Sequence, residues 1–440
     1  MSQVVINMEE LSSVKKKLSF EIPWNEVKNE LDTVYKEVGK KAKIKGFRQG
    51  KIPRKVLEMH FKEHAETETI NNIINKFYWQ TLEEKKIFAL SRPDINQEGF
   101  KENTNFSFSA SFETEPDFEP KGYKGMELEK EIISVTATDM EKRINEIRQM
   151  FATMEEVVEE RPVQKGDFVV IDFAGTFNGE SPQELKSDNY FLEIGSQRFI
   201  PGFEEQLIGL KKEETKTIKV VFPEDYHEKK FAGKEVAFEV TIKSLKEKKL
   251  LEFNEDFIKN FDKYNSLEDL KNDIQKSLDE ESRRISEINL QNKITELLLN
   301  ENNFEAPPSL IERQIFYMMA DTQRRMTSAG MDEKNALELS FKMHDKFKDD
   351  AAKIVKSFLL LKKIAQKESI VIEDSDAEKH IEELAAKYGK DYELLKKAYE
   401  NEEKKENLRV ELIQKKVFDF IEQSANIKIT EKKGMGAEVK

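Results

Sequence analysis

A chain of 440 residues is too long for one ordinary hydrophobic core, so length alone sets an expectation of about three domains. Hydrophobic residues make up 38% and charged ones 36%, with 30 Phe, 2 Trp and no Cys; this suits a folded, surface-rich, elongated protein and excludes disulfide staples, thiolate chemistry and most zinc sites. The net charge of -13 argues against coating nucleic acid generally, DNA included.

From Met1 to Glu10 there is no cationic start leading into an apolar stretch, which sets an expectation of cytoplasmic residence. No apolar run reaches the roughly 20 residues a bilayer demands, so no membrane partner is expected. Val14, Leu18, Phe20 and Ile22 share one face of a predicted strand that Pro23 closes. Val27, Leu31, Val34 and Val38 then keep helical spacing, as do Ile70, Ile73, Ile74, Phe77 and Leu82 after a glycine-bounded loop. Phe106, Phe108, Ala110 and Phe112 alternate again, so residues 1–115 read as a small sheet packed against helices.

Pro116, Pro120, Gly122 and Gly125 open a connector, 116–151, expected to be extended, then helical, and to pack with the helical region. In 152–247, Val169, Ile171 and Phe173 alternate, as do Val236, Phe238, Val240 and Ile242, between glycine-marked turns: a mostly β domain. Beyond Glu252 helix formers dominate, and Ser266 with Asp269 reads as a capping box ahead of Leu267, Leu270, Ile274, Leu278, Ile285 and Ile288. Pro307 and Pro308 break that helix, and helical patterns cover Ile311 to Met326, Asn335 to Gln366 and Ala377 to Ser424. Without a sustained heptad, 248–430 reads as packed helical arms, and 431–440 as a disordered tail. The fold class is therefore α+β multidomain.

Between Lys36 and Lys55, Lys36, Lys40, Lys41, Lys43, Lys45, Arg48, Lys51, Arg54 and Lys55 face only Glu37. Such a patch suits docking at one anionic place, or is simply a solvated helix end. Within it runs Gly46-Phe47-Arg48-Gln49-Gly50-Lys51-Ile52-Pro53. Two glycines permit a tight turn, Pro53 suits the first turn of a helix holding Val56, Leu57 and Phe61, and Phe47 and Arg48 are thereby held outward as apolar anchor and guanidinium clamp. The octapeptide resembles the ribosome-binding signature of the trigger factor family, and the plainer reading is a structural turn. The resemblance covers the whole chain in the order signature domain, middle β domain, helical region. It implies that Gly46, Phe47, Arg48, Gln49, Gly50, Lys51 and Pro53 bind the large ribosomal subunit, protein and rRNA, at the tunnel exit. That family typically has lysine where Gln49 stands, with Lys51 and Arg54 nearby to compensate.

Val170-Ile171-Asp172-Phe173-Ala174-Gly175, Phe199-Ile200-Pro201-Gly202-Phe203-Glu204-Glu205 and Phe222-Pro223-Glu224-Asp225-Tyr226 together resemble the FKBP-type peptidyl-prolyl isomerases. The resemblance implies a catalytic pocket of Phe173, Tyr190, Phe199, Ile200, Phe203, Tyr226 and Phe238, with the Ile200 amide as donor to substrate. An X-Pro bond rotates over a barrier of about 20 kcal/mol, so the pocket has to strip water from the planar amide and needs no proton donor or cofactor. Where that family places an aromatic followed by an acid, Ser181-Pro182-Gln183-Glu184 stands instead, and Glu228 lies two beyond Tyr226; these departures point to weakened activity. The plainer reading is an aromatic core without catalysis.

Met318, Met319, Met326, Met331 and Met343, with Phe316, Phe341, Phe347 and Phe358, put adaptable apolar side chains on charged helices, which suits unfolded nascent polypeptides or ordinary helix packing. The resemblance also implies a weak homodimer off the ribosome. His60 and His64 have metal-binding spacing, but Lys62 between them and the absence of the zincin order favour a solvated helix face, and no metal is expected. No phosphate-cradling Gly-Lys-Ser/Thr string supports ATP use. The expected function is an ATP-independent, ribosome-docked chaperone with an accessory isomerase; a free cytosolic isomerase and a peptide-binding scaffold are the alternatives.

Overall fold

A computed structural model describes residues 4–435 apart from Glu159, Asp225, His227, Lys390, Asp391 and Glu400, and apart from the side chains of Lys387 and Tyr388. It divides into two compact units: Met1–Lys130 with Ile288–Ile429, and Glu131–Glu287 with Thr430–Lys440.

In the first unit, strands β1 (Val5–Ser12), β2 (Lys15–Ile22), β3 (Asp94–Gln97) and β4 (Phe106–Glu113) form an antiparallel sheet in the order β1-β2-β4-β3. The alternation expected at 14–22 and 106–112 buries Leu18, Phe20, Ile22, Phe106, Phe108, Ala110 and Phe112 on one face. Helix α1 (Trp24–Lys41) precedes α2 (Arg54–Glu84), which lays Ile73, Ile74, Tyr78 and Leu82 on that face. The two helical stretches expected around Leu57 and Ile73 follow each other within α2 and meet at a kink, where Phe61 leaves helical geometry (φ -131°, ψ 20°).

Strand β5 (Glu127–Ser134), helix α3 (Ala137–Met150) and β6 (Thr153–Glu156) follow, and β5 pairs with a C-terminal strand given below. Thr136 starts α3 with a reciprocal capping box to Asp139. In the second unit β7 (Phe168–Thr176), β8 (Lys186–Glu193), β9 (Thr215–Val221) and the long β10 (Glu235–Lys249) build a five-stranded sheet with β6. β10 pairs with β7 on one side and with β9 and then β6 on the other. Arg161 pins the entry to this sheet: it grips buried Asp167 at 2.7 and 2.9 Å and reaches Glu247 of β10 at 2.8 Å.

Short α4 (Glu255–Ile258) leads to α5 (Leu267–Glu301), which contributes residues to both units. The expected capping box at its start is only half made: Ser266 accepts from Asp269 N–H, while the Asp269 carboxylate takes the Asn265 amide in place of that of Ser266. The remaining helices are α6 (Pro308–Ser328), α7 (Glu333–Lys342), α8 (Lys348–Lys367), α9 (Asp374–Tyr388), α10 (Tyr392–Ala398) and α11 (Glu402–Ser424). The long helices expected over 335–366 and 377–424 are therefore interrupted. A 3-10 turn at His344–Phe347 splits the first; Gly389, left-handed at φ +59°, stops α9, and Asn401 caps α11 by accepting from the Glu403 and Lys404 amides. Tyr123, Met126 and Leu128 pack into one core with Leu290, Ile294, Leu298, Leu360, Ile364, Val417 and Ile421. The tail expected from 431 gives way at its start, because β11 (Asn426–Lys433) runs through Lys432 and Lys433 to pair with β5; residues 436–440 lie outside the described residues.

Candidate functional site

The loop expected to dock, residues 42–53, grows from the end of α1. Val34, Tyr35, Val38, Ala42, Leu57 and Ala65 form a small core between α1 and α2, and Ile44 and Ile52 pack on it, anchoring the two legs of the loop. Gly46 (φ +94°) and Gly50 (φ +79°) take conformations that side chains resist, and the turn closes with Phe47 N–H donating to Ile44 O at 3.1 Å and Lys51 N–H to Arg48 O at 3.0 Å. Phe47, 41% exposed, and exposed Arg48 and Lys51 stand outside this base. Pro53 caps α2 and lies just before its first turn, not within it.

Arg54, expected with Lys51 to offset the neutral residue at 49, is already engaged within the chain. Its guanidinium lies 3.5 Å over the Tyr35 ring and binds Asp32 at 3.2 Å and Glu58 at 2.7 Å, which ties it to the base of the loop. Gln49 donates its side-chain amide to the Lys40 carbonyl at 3.1 Å. His64 pairs with Glu68 at 3.4 Å, and among the described residues no group of three or more His, Cys, Asp or Glu is arranged to hold a metal.

In the second unit the expected aromatics converge. The Phe173 ring, on β7, has Tyr190, Phe199, Phe203 and Phe238 edge-on at 5.7, 5.6, 6.0 and 5.9 Å. Phe203 and Phe238 are buried, Phe173 and Phe199 are half-buried, and Tyr190 is 39% exposed. Tyr226 joins through Phe222, 4.7 Å away edge-on; its neighbours Asp225 and His227 lie outside the described residues. Ile200 packs against the same core, and its N–H donates to no acceptor among the described residues.

Sequence reasoning gave Glu204 no role, yet it is the acid that builds the loop. Buried at 3% exposure, its carboxylate accepts from the amides of Gly195 (2.8 Å), Gln197 (3.0 Å) and Phe199 (3.2 Å) and from the Ser196 hydroxyl (3.1 Å). Burial pushes this carboxyl up, but the amides of Gln197, Phe199 and Gly195 and the Ser196 hydroxyl outweigh it and hold it below the usual range. The segment that departs from the isomerase pattern forms a 3-10 turn, Gln183–Leu185; Leu185 is buried and Glu184 is tied to Lys230 at 2.7 Å.

Comparison with known proteins places the chain in a family. Residues 4–147 match the model of the bacterial trigger factor protein, 266–423 that of its C-terminus, and 159–243 that of FKBP-type peptidyl-prolyl cis-trans isomerase. Trigger factor of Syntrophus aciditrophicus is 50% identical over 99% of this chain and 98% of its own length, and that of Geobacter metallireducens 37% over 95% and 97%. A solved structure from "Promiscuous Substrate Recognition in Folding and Assembly Activities of the Trigger Factor Chaperone" covers 95% of this chain and 99% of its own at 21% identity, with a TM-score of 0.48. With half its residues shared over nearly the full length of a curated trigger factor, this chain belongs to the trigger factor family.

Proposed function

We propose that this protein is an ATP-independent chaperone of the cytoplasm that docks at the ribosomal tunnel exit through the 46–53 loop, shields nascent chains with its helical region, and twists prolyl bonds in an FKBP-type pocket. The observation that carries the reading is the loop: an exposed benzyl ring and guanidinium on a glycine-hinged tip whose legs are packed into a core. The working divisions are 1–115 for docking, 116–151 as connector, 152–247 for isomerisation and 248–430 for clients.

Among the residues first considered for clients, Met319 belongs to the core, whereas Phe316, Phe341 and Met331 are exposed, as are Tyr317 and Leu337 beside them. These exposed side chains on α6, α7 and the turn between them are the client candidates. In the pocket, Phe173, Phe199, Phe203 and Phe238 exclude water from a bound X-Pro amide, Tyr190 borders the entrance, and the Ile200 N–H is available to hold the substrate carbonyl.

Co-sedimentation with purified ribosomes at low salt tests docking. Phe47→Ala combined with Arg48→Ala is expected to weaken pelleting about tenfold, and unchanged pelleting rejects the reading. A proline-limited refolding assay tests the pocket: Tyr190→Ala, at an exposed position, is expected to cut acceleration several-fold with little loss of stability. No acceleration by the intact protein leaves a peptide-binding module in place of an enzyme.

A further inference from the structure

The carbonyls of the last turn of a helix have no partner further along it. At the end of α1 the docking loop itself supplies two donors. Gly50 N–H reaches Gly39 O at 3.2 Å and the Gln49 side-chain amide reaches Lys40 O at 3.1 Å. Ile44 and Ile52 anchor the legs and the turn bonds of Phe47 and Lys51 close the tip, but around Gly46 and Gly50 the tip is open: a Cβ built on either would meet nothing within 4 Å. Each tie that limits the tip's motion before binding reduces the conformational entropy lost on docking.

We propose that Gln49 is a positioning residue for docking: its amide tethers the tip to the end of α1, so that Phe47 and Arg48 meet the ribosome already oriented. This rests on the docking reading above and deepens it. At this position the chain has a neutral tether in place of a charge. Arg54 is held by Asp32, Glu58 and Tyr35, while Arg48 and Lys51, on either side of Gln49 in the 46–53 tip, are exposed. Gln49 is exposed and belongs to no core, so its replacement leaves folding intact.

The two roles differ in their salt dependence. A residue that touches phosphate changes the slope of log affinity against log salt, whereas one that only orders the loop changes the intercept. Gln49→Met keeps length and removes the donor. It is expected to bind ribosomes about threefold to tenfold more weakly with an unchanged salt slope. Amide hydrogen exchange at Phe47, Gly50 and Lys51 is expected to quicken several-fold in the free protein. Gln49→Lys restores a donor for the Lys40 carbonyl and adds a charge, so it is expected to recover low-salt affinity with a slope steeper by about 0.7 to 0.9. Wild-type affinity in Gln49→Met, unchanged exchange at those amides, or a shallower salt slope overturns the proposal. The double variant Phe47→Ala with Arg48→Ala serves as control: if it too binds normally, the docking reading has failed, whereas if it alone loses binding, only the role of Gln49 is wrong.

Discussion

Replacing Glu204 with alanine is expected to weaken the loop that carries Phe199 and Ile200 by about 3 kcal/mol, more than a hundredfold in its opening equilibrium. Three backbone amides and one hydroxyl lose their acceptor at once. Losing that hold favours opening further, because Gln197, which is not glycine, sits at φ +57°, a conformation that persists only when the surroundings hold it. Hydrogen exchange at the Gly195, Gln197 and Phe199 amides reads the loss directly, and wild-type protection there in the alanine variant would refute the role. The carboxylate also sets a pH dependence. Its folded value lies below that of an unfolded glutamate, about 4.3, so its contribution is complete above that value and fades as pH falls through the folded one. Asp167 acts in the same direction: burial raises it, but Arg161 and the Gln164 amide bring it below the usual carboxylate range. Glu204→Gln, which keeps a carbonyl acceptor and loses the charge, should therefore reduce the acid sensitivity of this unit without abolishing it.

What the sequence made legible follows the physics of patterning. β2 and β4 could be read because each is flanked on both sides by strands and buries alternate residues in one core. β1 could not: it is an edge strand, and Asn7, Met8, Glu9 and Glu10 in a row are all exposed. β3 is four residues long between Pro93 and Gly99, too short to show a period. β5 and β11 are partners far apart in the chain, where local composition says nothing about pairing. Part of the aromatic cluster was legible because Phe173, Phe199, Phe203 and Tyr226 lie in three recognisable strings; Tyr190 and Phe238 lie outside them, and the sheet register pairs them with Ile171 and Gly175 of β7. Glu204 stood in one of those strings unnoticed, since an acid reads as surface until burial shows what it holds. Gln49 and Arg54 exchange the weights that charge counting gives them. The neutral residue is tied to the helix end and the charged one is consumed by the base.

The close approach at Gly175 supplies the sharpest test of the aromatic cluster. A Cβ there would lie 2.7 Å from Cε1 of Phe238 and 2.8 Å from Cβ of Leu185, distances that packed atoms do not tolerate. Neither neighbour can simply step aside. Phe238 is wedged between Phe203 at 5.5 Å and Phe173 at 5.9 Å, and Leu185 is buried at the end of the Gln183–Leu185 3-10 turn. Gly175→Ala is thus expected to cost about 2 to 3 kcal/mol and to tilt the Phe238 ring, lowering both unfolding stability and any acceleration of proline-limited refolding. Phe238→Leu removes the ring that the new methyl strikes, at the cost of a cavity of its own. If the clash with Phe238 is the cause, the double variant loses less than the two single costs combined, by more than about 1 kcal/mol. Strictly additive costs would place the strain at Leu185 instead, and the Ser181–Glu184 departure would then shape the pocket through that leucine and not through a missing acid.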